Sequence, residues 1–362
     1  MKMTFRWYGA KDDSIPLQYI RQIPGIGGVV SAVYDVPVGE VWPRERVRGL
    51  KNEVEGSGLG LEVIESVNVH EDIKLAAPAR DRYIENYIKT LKNLAEIGIK
   101  CVCYNFMPVF DWTRTDLFKP LKDGSSAMFY DKRVIDKITD PSKMVRAMRR
   151  GSNGFSLPGW EPERLNRVGE LFQAYQTVDE EGLRAALGYF LKAVIPYCER
   201  YDIKMAIHPD DPPWRIFGLP RIVKDERDIA LLLELADSPY NGVTLCSGSL
   251  GASPANDIPA MIRKFGKAGR IHFAHVRNVL RQDDGSLCET SHLSSDGSLD
   301  LYDIMKAYHD VGFDGYMRPD HGRNIWDEKC RPGYGLYDRA LGIAYLNGLD
   351  EAIKKGEKSD VI

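Results

Sequence analysis

Four residues with metal-binding side chains stand at matching places in the second half of the chain. Each of four successive apolar runs ends in one of them or leads directly into it: His208, Cys246, His275 and Asp320. Imidazole, thiolate and carboxylate groups bind divalent transition metals with donor atoms about 2.0–2.3 Å from the ion. Taken singly, such residues are more often buried thiols, turn residues or ordinary histidines. At equivalent places on four successive runs they predict a shared metal site with positions open for substrate or water.

The stretch HPDDPP at 208–213 predicts a rigid setting for the first of these residues. Its three prolines fix φ and remove backbone donors, so the loop after the apolar run has few conformations. The alternative is a plain proline-rich turn, which needs neither the histidine nor the acidic pair. We expect Asp210 and Asp211 to accept a hydrogen bond from a ligand imidazole.

Two arginines share strand faces with these candidate ligands. Arg277 lies two residues after His275, and Arg318 lies two residues before Asp320. Side chains two apart on a strand point to the same face, so both guanidinium groups are predicted to face the same site. There they could hold a carboxylate in a bidentate fork. Ordinary ion-paired arginines are the alternative.

Two further residues could transfer protons. His321 directly follows the last candidate ligand and titrates near neutral pH in its unperturbed form, but a solvated turn histidine fits its position equally well. Tyr334 lies in the glycine-rich stretch PGYGLYDRALG and is either a site residue or a packing aromatic. No site role is assigned to the histidines at 70, 272 and 309.

Short apolar strands alternate with amphipathic helices along the whole chain. The candidate strands are 3–9, 28–35, 59–65, 99–106, 203–209, 242–248, 270–277 and 313–320, and the candidate helices are 16–23, 43–55, 80–97, 181–200, 226–236, 256–267, 298–311 and 336–350. Eight such pairs predict an α/β fold of the (β/α)8 TIM-barrel class, with a doubly wound open sheet as the alternative. The barrel would place the candidate ligands around one mouth.

One connection is much longer than the others. Residues 110–178 separate the fourth strand from its helix and contain helical patterns near 141–150 and 161–176. Long loops of this kind are usually functional, and this one leaves from the face where barrel active sites lie. We expect a single domain over 1–362, with 110–178 as a helical insertion that acts as a lid or an oligomer contact.

Composition excludes several classes of protein. Acidic residues number 52 against 49 basic ones, giving a net charge of −3 without any basic tract, so nucleic acid is not an expected partner. The first residues, MKMTFRWYGAKDD, contain no apolar signal core, and no membrane partner is expected. Six irregularly spaced cysteines suit reduced thiols. These features predict a cytoplasmic protein.

Several long motifs together resemble a known family. They are RWYG, IRQIPGIGGVVSAVYDVPVGEVWP, CYNFMPVFDWTRTDL, MAIHPDDPP, TLCSGSLGA, IHFAHVRNV, and MRPDHGR followed by PGYGLYDRALGIAYLNGL. These blocks resemble D-mannonate dehydratase of hexuronate catabolism, from residue 4 to about 350. The resemblance implies a xylose-isomerase-like barrel that converts D-mannonate to 2-dehydro-3-deoxy-D-gluconate and water.

The resemblance also implies roles for residues. It implies Mn²⁺ or Fe²⁺ on the four candidate ligands and catalytic duties for His321 and Tyr334, without deciding which is acid and which is base. As hypotheses, Arg277 and Arg318 would stabilise the charge that develops next to the substrate carboxylate. The thiolate is a soft ligand that by itself favours zinc or iron over manganese. We expect a homodimer.

Two other functions stay open at this stage. A metal-dependent aldose–ketose isomerase of the same barrel superfamily would also bind a metal, although such sites usually rely on several carboxylates. A catalytically silent metal- or sugar-binding module would use the four ligands for a structural zinc site.

Overall fold

The computed structural model describes residues 1–140 and 166–359, together with residues 145, 152, 154 and 155. Eight parallel strands close into a barrel: β1 (Lys2–Arg6), β2 (Gly28–Ser31), β3 (Gly60–Glu65), β4 (Cys101–Tyr104), β7 (Lys204–Ile207), β8 (Asn241–Cys246), β9 (Ile271–His275) and β12 (Tyr316–Arg318). Each strand pairs in parallel with its neighbours, and β12 returns to β1. The predicted (β/α)8 barrel is confirmed, and the open-sheet alternative is wrong.

The helices of the described chain surround this barrel. They are α1 (Leu17–Ile20), α2 (Arg44–Gly56), α3 (Glu71–Lys74), α4 (Arg80–Ala95), α5 (Lys132–Ile135), α6 (Val168–Tyr175), α7 (Glu180–Tyr201), α8 (Glu226–Leu235), α9 (Ser247–Leu250), α10 (Ile258–Lys267), α11 (Leu301–Asp310) and α12 (Tyr337–Ser359). All eight predicted strand–helix pairs are present, with boundaries shifted by a few residues in most and by nine at the end of α12.

Helix α7 shows how local sequence signals place a helix against the barrel. The Asp179 side chain accepts a hydrogen bond from the Gly182 amide and so caps the first turn. The helix ends at Asp202, whose φ of 50° is left-handed. Between them, one face is apolar and buried. Its Phe190 packs among the rings of Tyr87, Tyr104 and Phe106.

A second sheet lies above the carboxyl ends of the barrel strands. It contains β5 (Asp116–Pro120), β6 (Ser126–Tyr130), β10 (Val279–Arg281) and β11 (Leu287–Glu289), in the order β10-β11-β6-β5 with antiparallel pairs. The insertion therefore joins the loop after β9 through β6 and β11. The prediction of a helical insertion is confirmed for α6 and incomplete for 116–130, where a hairpin forms. The helical pattern at 141–150 falls, except for Val145, outside the described residues, as does the first part of the pattern at 161–176.

Over the described residues, no helix is both long enough and apolar enough to cross a membrane.

Truncating Phe190 tests the packing of α7 on the barrel. Because the side chain is fully buried among aromatic rings, we expect Phe190→Ala to lower the free energy of unfolding by about 3–5 kcal/mol. Lys192→Ala, on the exposed side of the same helix, is the matched control and should change it by less than about 0.5 kcal/mol. Denaturant unfolding measures both, and equal effects would contradict the assigned packing.

Candidate metal centre and active site

The barrel brings the four candidate ligands together at its carboxyl end. Each offers one ligand atom, and these atoms all lie within 4.8 Å of one another: they belong to His208, Cys246, His275 and Asp320. Cys246 and His275 are the last residues of β8 and β9, His208 directly follows β7, and Asp320 lies two residues after the end of β12. Two imidazoles, one thiol and one carboxylate at this spacing fit a divalent transition metal.

The two histidines are oriented by different acceptors. His208 Nδ1 lies 2.8 Å from the carbonyl oxygen of Pro209. The expectation that Asp210 and Asp211 accept from an imidazole is therefore wrong: Asp210 accepts from the backbone amides of 222 and 223, and Asp211 from arginines. Burial lowers the pKa of His208, but its hydrogen bond to Cys246 and nearby negative charges outweigh this and raise the pKa to about 9.

His275 presents an unused nitrogen to the cluster. Its Nδ1 is buried and makes no hydrogen bond with the described residues, and Asp320 Oδ1 lies 3.7 Å away. On the other side of the ring, Nε2 accepts a hydrogen bond from Arg318 Nε at 3.0 Å, and Glu65 Oε2 lies 3.5 Å away. The orphaned Nδ1 fits a bound metal.

The surroundings of Cys246 favour ionisation of its thiol. The amide and hydroxyl of Ser249 donate to its sulfur at 3.4 and 3.1 Å. Burial alone raises the pKa of the Cys246 thiol, but the positive charge of Arg277 and the neighbouring imidazoles of His208 and His275 lower it to about 5. At neutral pH the group is therefore a thiolate, the form that binds metals.

Asp320 lies between two arginines at a left-handed backbone position, with φ of 58°. Arg277 Nε donates to its Oδ2 at 2.7 Å, and Arg318 Nη2 lies 2.9 Å from its Oδ1. Burial raises the pKa of this carboxyl, but the neighbouring His321 imidazole and the two arginines hold it well below its usual range. Asp320 is therefore an ionised candidate ligand.

A second group of possible ligands overlaps the first. Glu65, Cys103 and His275 also bring their donor atoms within 4.8 Å of one another. However, burial raises the pKa of the Cys103 thiol well above its usual value, so its sulfur stays protonated. Glu65 already accepts two hydrogen bonds from Arg318, at 2.8 and 3.1 Å. The chemistry therefore favours the set that contains Cys246.

Arg277 is surrounded by carboxylates. In addition to Asp320, its Nη1 donates to Glu289 Oε2 at 2.6 Å and its Nη2 donates to Asp211 Oδ2 at 2.8 Å. Arg114, from the insertion, binds the same two carboxylates. All three nitrogens of Arg277 thus donate to protein groups, an arrangement that favours a positioning role over the substrate contact predicted from the sequence.

His321 and Tyr334 form a hydrogen-bonded pair beside Asp320. His321 Nε2 lies 2.9 Å from the Tyr334 hydroxyl, and its Nδ1 lies 3.3 Å from Glu289 Oε1. Burial raises the pKa of Glu289, but Arg277 and Arg114 outweigh this and lower it to about 2, so Glu289 is an acceptor only. The histidine proton therefore belongs on Nδ1, leaving the Nε2 lone pair toward the tyrosine.

A cavity of about 190 Å³ adjoins this cluster. It is bordered by two candidate ligands, by the His321–Tyr334 pair and by Arg318, whereas Arg277 is not among its lining residues. Asp111 and Trp112, from the start of the insertion, also border it. The volume suits a ligand smaller than the drug-sized molecules that fill pockets of 300 Å³ or more.

Three residues of this site were missed by the sequence analysis as site residues. Arg6, Arg114 and Glu289 are buried at or beside the cavity. Arg6 offered a signal, because it is a charged residue within a strand predicted to be buried. Glu289 lies on a three-residue strand with no periodicity to detect. Gly248 also matters, since a Cβ there would lie 2.5 Å from the Arg277 guanidinium carbon.

Comparisons of sequence place this geometry in a family. The family model described as D-mannonate dehydratase (UxuA) matches residues 1–360. The chain belongs to the D-mannonate dehydratase family. It is 62% identical over 358 residues to the mannonate dehydratase of Thermotoga maritima, covering 99% of both chains. It is 58% identical to mannonate dehydratase 1 of Halalkalibacterium halodurans, covering 99% of this chain and 98% of the relative. The family predicted from the motifs is confirmed, and with it the class of enzyme, a carbon–oxygen lyase.

Solved structures agree on the fold. A crystal structure of mannonate dehydratase from Streptococcus suis serotype 2 is 46% identical, with a TM-score of 0.89 over 99% of this chain and 96% of that one. A xylose isomerase domain protein from Planctomyces limnophilus is 10% identical, with a TM-score of 0.54 over 98% of each chain. The second likeness concerns the fold alone and confirms the xylose-isomerase-like barrel.

Cobalt substitution tests the choice between the two ligand sets. We expect Co²⁺ added to metal-free protein to produce a thiolate-to-cobalt charge-transfer absorption that Cys246→Ser abolishes, because the pKa of that thiol makes it the available thiolate. Cys103→Ser is the matched control and should keep the absorption. The reverse pattern would assign the metal to the overlapping set.

Proposed function

We propose that this chain dehydrates D-mannonate to 2-dehydro-3-deoxy-D-gluconate and water with a divalent metal held by His208, Cys246, His275 and Asp320. The observation that carries the proposal is the hydrogen-bonded pair of His321 and Tyr334 directly beside those ligands. Loss of water from adjacent carbons needs one proton removed and one supplied, and this pair can do both. The family assignment supports the same reaction.

The metal would supply charge stabilisation for the oxygens next to C1 and C2 of the substrate. We propose Mn²⁺ or Fe²⁺. A single thiolate among nitrogen and oxygen donors suits Fe²⁺. The coordination geometry and the supply of metal can allow Mn²⁺ to bind as well. Zinc should bind the same ligands and support turnover poorly.

Glu289 supports the assignment of His321 as the base. The ionised carboxylate keeps the imidazole proton on Nδ1, so the Nε2 lone pair, which accepts from the Tyr334 hydroxyl in this structure, can take the C2 proton once substrate separates the two groups. Removal of that proton places negative charge on the adjacent carboxylate, which becomes enediolate-like. Positive side chains at the cavity wall lower the energy of this charge.

Tyr334 is the corresponding acid. Burial raises the pKa of its hydroxyl to about 12, so the group keeps its proton at all ordinary pH values. It can therefore protonate the C3 hydroxyl as that group leaves as water, and the enol that results tautomerises to the ketone. The 2.9 Å separation from His321 Nε2 suits groups that act on adjacent carbons.

The two arginines predicted to bind substrate receive different roles. Arg318 borders the cavity, and its Nη1 makes no hydrogen bond with the described residues, so we propose that it contacts substrate. Arg277 acts through Asp320 and Glu289, which it holds in place. It is a positioning residue.

An aldose–ketose isomerase or a silent binding module finds no support in relatives that are 56–62% identical and named mannonate dehydratase. Asp111 and Trp112 border the cavity, which supports a lid role for part of 110–178. The single domain, the cytoplasmic location and the homodimer stay predictions.

Metal reconstitution tests the function. We expect metal-free protein to form the keto acid from D-mannonate after addition of Mn²⁺ or Fe²⁺, and to form little after addition of Zn²⁺. Cys246→Ala should lose this activity because it removes the thiolate ligand, whereas Cys198→Ala, a buried cysteine on α7, should keep it. Absence of turnover with every metal would refute the dehydratase assignment.

Substitution of the proton-transfer pair tests the two roles. His321→Gln and Tyr334→Phe should each reduce kcat by about 10²–10⁴-fold, the usual contribution of general acid–base catalysis, and change substrate affinity much less. In the unsubstituted enzyme, kcat should show no loss from ionisation of Tyr334 until the pH comes within about one unit of 12. A comparable loss of affinity in both variants would argue for a binding role instead.

A further inference from the structure

Arg6 is a buried cation whose place is explained neither by the metal site nor by the proton-transfer pair. It is the last residue of β1, is 4% exposed and borders the cavity. Its Nη2 donates to the Tyr34 hydroxyl at 3.0 Å, and its Nη1 lies 3.3 Å from Glu65 Oε2. Its guanidinium carbon lies 4.9 Å from the centre of the Tyr8 ring.

Several donors at this end of the cavity are unused. Arg6 Nε and Nη1 are buried and form no hydrogen bond of ordinary geometry with the described residues, and the same is true of Arg318 Nη1. A buried donor without an acceptor costs about 1–3 kcal/mol. Both side chains border the cavity, so the oxygens of a small ligand could accept from them.

The balance of charge at this end favours an anion. Arg6 Nη1 and Arg318 Nε both approach Oε2 of Glu65, at 3.3 and 3.1 Å, so two guanidinium groups share one carboxylate. The other carboxylate near Arg318 is Asp320, which would be bound to the metal. Two positive charges against one negative charge leave an excess of one positive charge, because the remaining charges that border the cavity cancel: Asp111 against Arg331, and Glu40 against its partner Arg82.

The neighbouring charges are balanced without these two arginines. Arg114 and Arg277 pair with Asp211 and Glu289, two cations against two anions. The thiolate and Asp320 supply two negative charges for a divalent metal. Neither the four paired side chains nor the metal site would therefore neutralise the excess positive charge beside Arg6.

We propose that Arg6, together with Arg318, binds the carboxylate group of the acid sugar, and that Arg6 thereby selects aldonates over uncharged sugar derivatives. This inference rests on the proposed function for the identity of the ligand. It places C1 beside the two guanidinium groups, where they also stabilise the charge that develops when the C2 proton is removed.

Binding of two matched ligands tests this inference. D-mannonate and D-mannonamide share one carbon skeleton and differ in the charge at C1. In metal-loaded protein that carries His321→Gln to prevent turnover, calorimetry should show that Arg6→Met raises the Kd of D-mannonate by about 10- to 100-fold, the loss of charge-assisted hydrogen bonds. The Kd of D-mannonamide should change by less than about twofold.

Tyr34→Phe is the matched control, because it removes the Arg6 Nη2 acceptor and keeps the guanidinium. It should leave the ratio of the two Kd values within about threefold of the parent. Arg6→Lys keeps the charge with fewer donors, so it should give a smaller loss that is again selective for D-mannonate. It serves as the test variant if Arg6→Met fails to match the parent in metal content and thermal unfolding.

An equal loss of affinity for both ligands, or no loss for either, would overturn the assignment of Arg6. Turnover by protein that retains His321 is measured separately. If that protein does not dehydrate D-mannonate while Arg6→Met still discriminates between the two ligands, the proposed reaction fails and the carboxylate subsite stands.

Discussion

The buried guanidinium of Arg277 is the interaction on which the mouth of the barrel depends. It donates to carboxylates from three separate segments: Asp320 after β12, Asp211 in the loop after β7, and Glu289 on β11. Removing one partner from a buried ion pair typically costs 3–5 kcal/mol, because the other charge is left uncompensated. One cation therefore fixes a candidate metal ligand, the loop that carries His208 and the orientation of the β10–β11 hairpin. Position 248 is a glycine, and a side chain there would collide with the Arg277 guanidinium.

The charge of Arg277 also favours the ionised forms of two candidate metal ligands before any metal binds. Its charge opposes the effect of burial on both Cys246 and Asp320, so their pKa values lie below the ordinary range and both are ionised at neutral pH. At Cys103, burial and the negative charge of Glu65 outweigh the smaller opposing effect of Arg318, and the pKa of the thiol is raised. The two buried thiols therefore differ because only at Cys246 do the neighbouring groups, Arg277 foremost, together outweigh burial. A substitution at Arg277 would consequently affect metal affinity, although Arg277 is not itself a candidate ligand.

The sequence was sufficient to predict the barrel and the meeting of the four candidate ligands at its mouth, and insufficient to predict the residues that surround them. Parallel strands must bring their carboxyl ends to one mouth, so equivalent positions such as Cys246 and His275 had to meet. The hairpin at 116–130 could not be predicted in the same way, because its strands are short and β6 pairs with a segment more than 150 residues away. Glu289 shares this difficulty, since its role is defined by contacts across that pairing. Asp211 was expected near an imidazole and instead pairs with arginines, a distinction that depends on side-chain direction rather than on spacing.

Contacts between polar side chains also form a continuous series along the cavity, from Arg6 at one end to His321 at the other. Arg6 approaches Glu65, Glu65 binds Arg318, Arg318 contacts Asp320, and Asp320 adjoins His321. If the substrate carboxylate binds to Arg6 and Arg318, the C2 and C3 atoms of the substrate lie on the side of the His321–Tyr334 pair. Because the excess positive charge lies at one end only, an acid sugar has one favourable direction in which to enter. The order of charges, more than the shape of the cavity, would therefore decide which carbon loses a proton and which loses its hydroxyl.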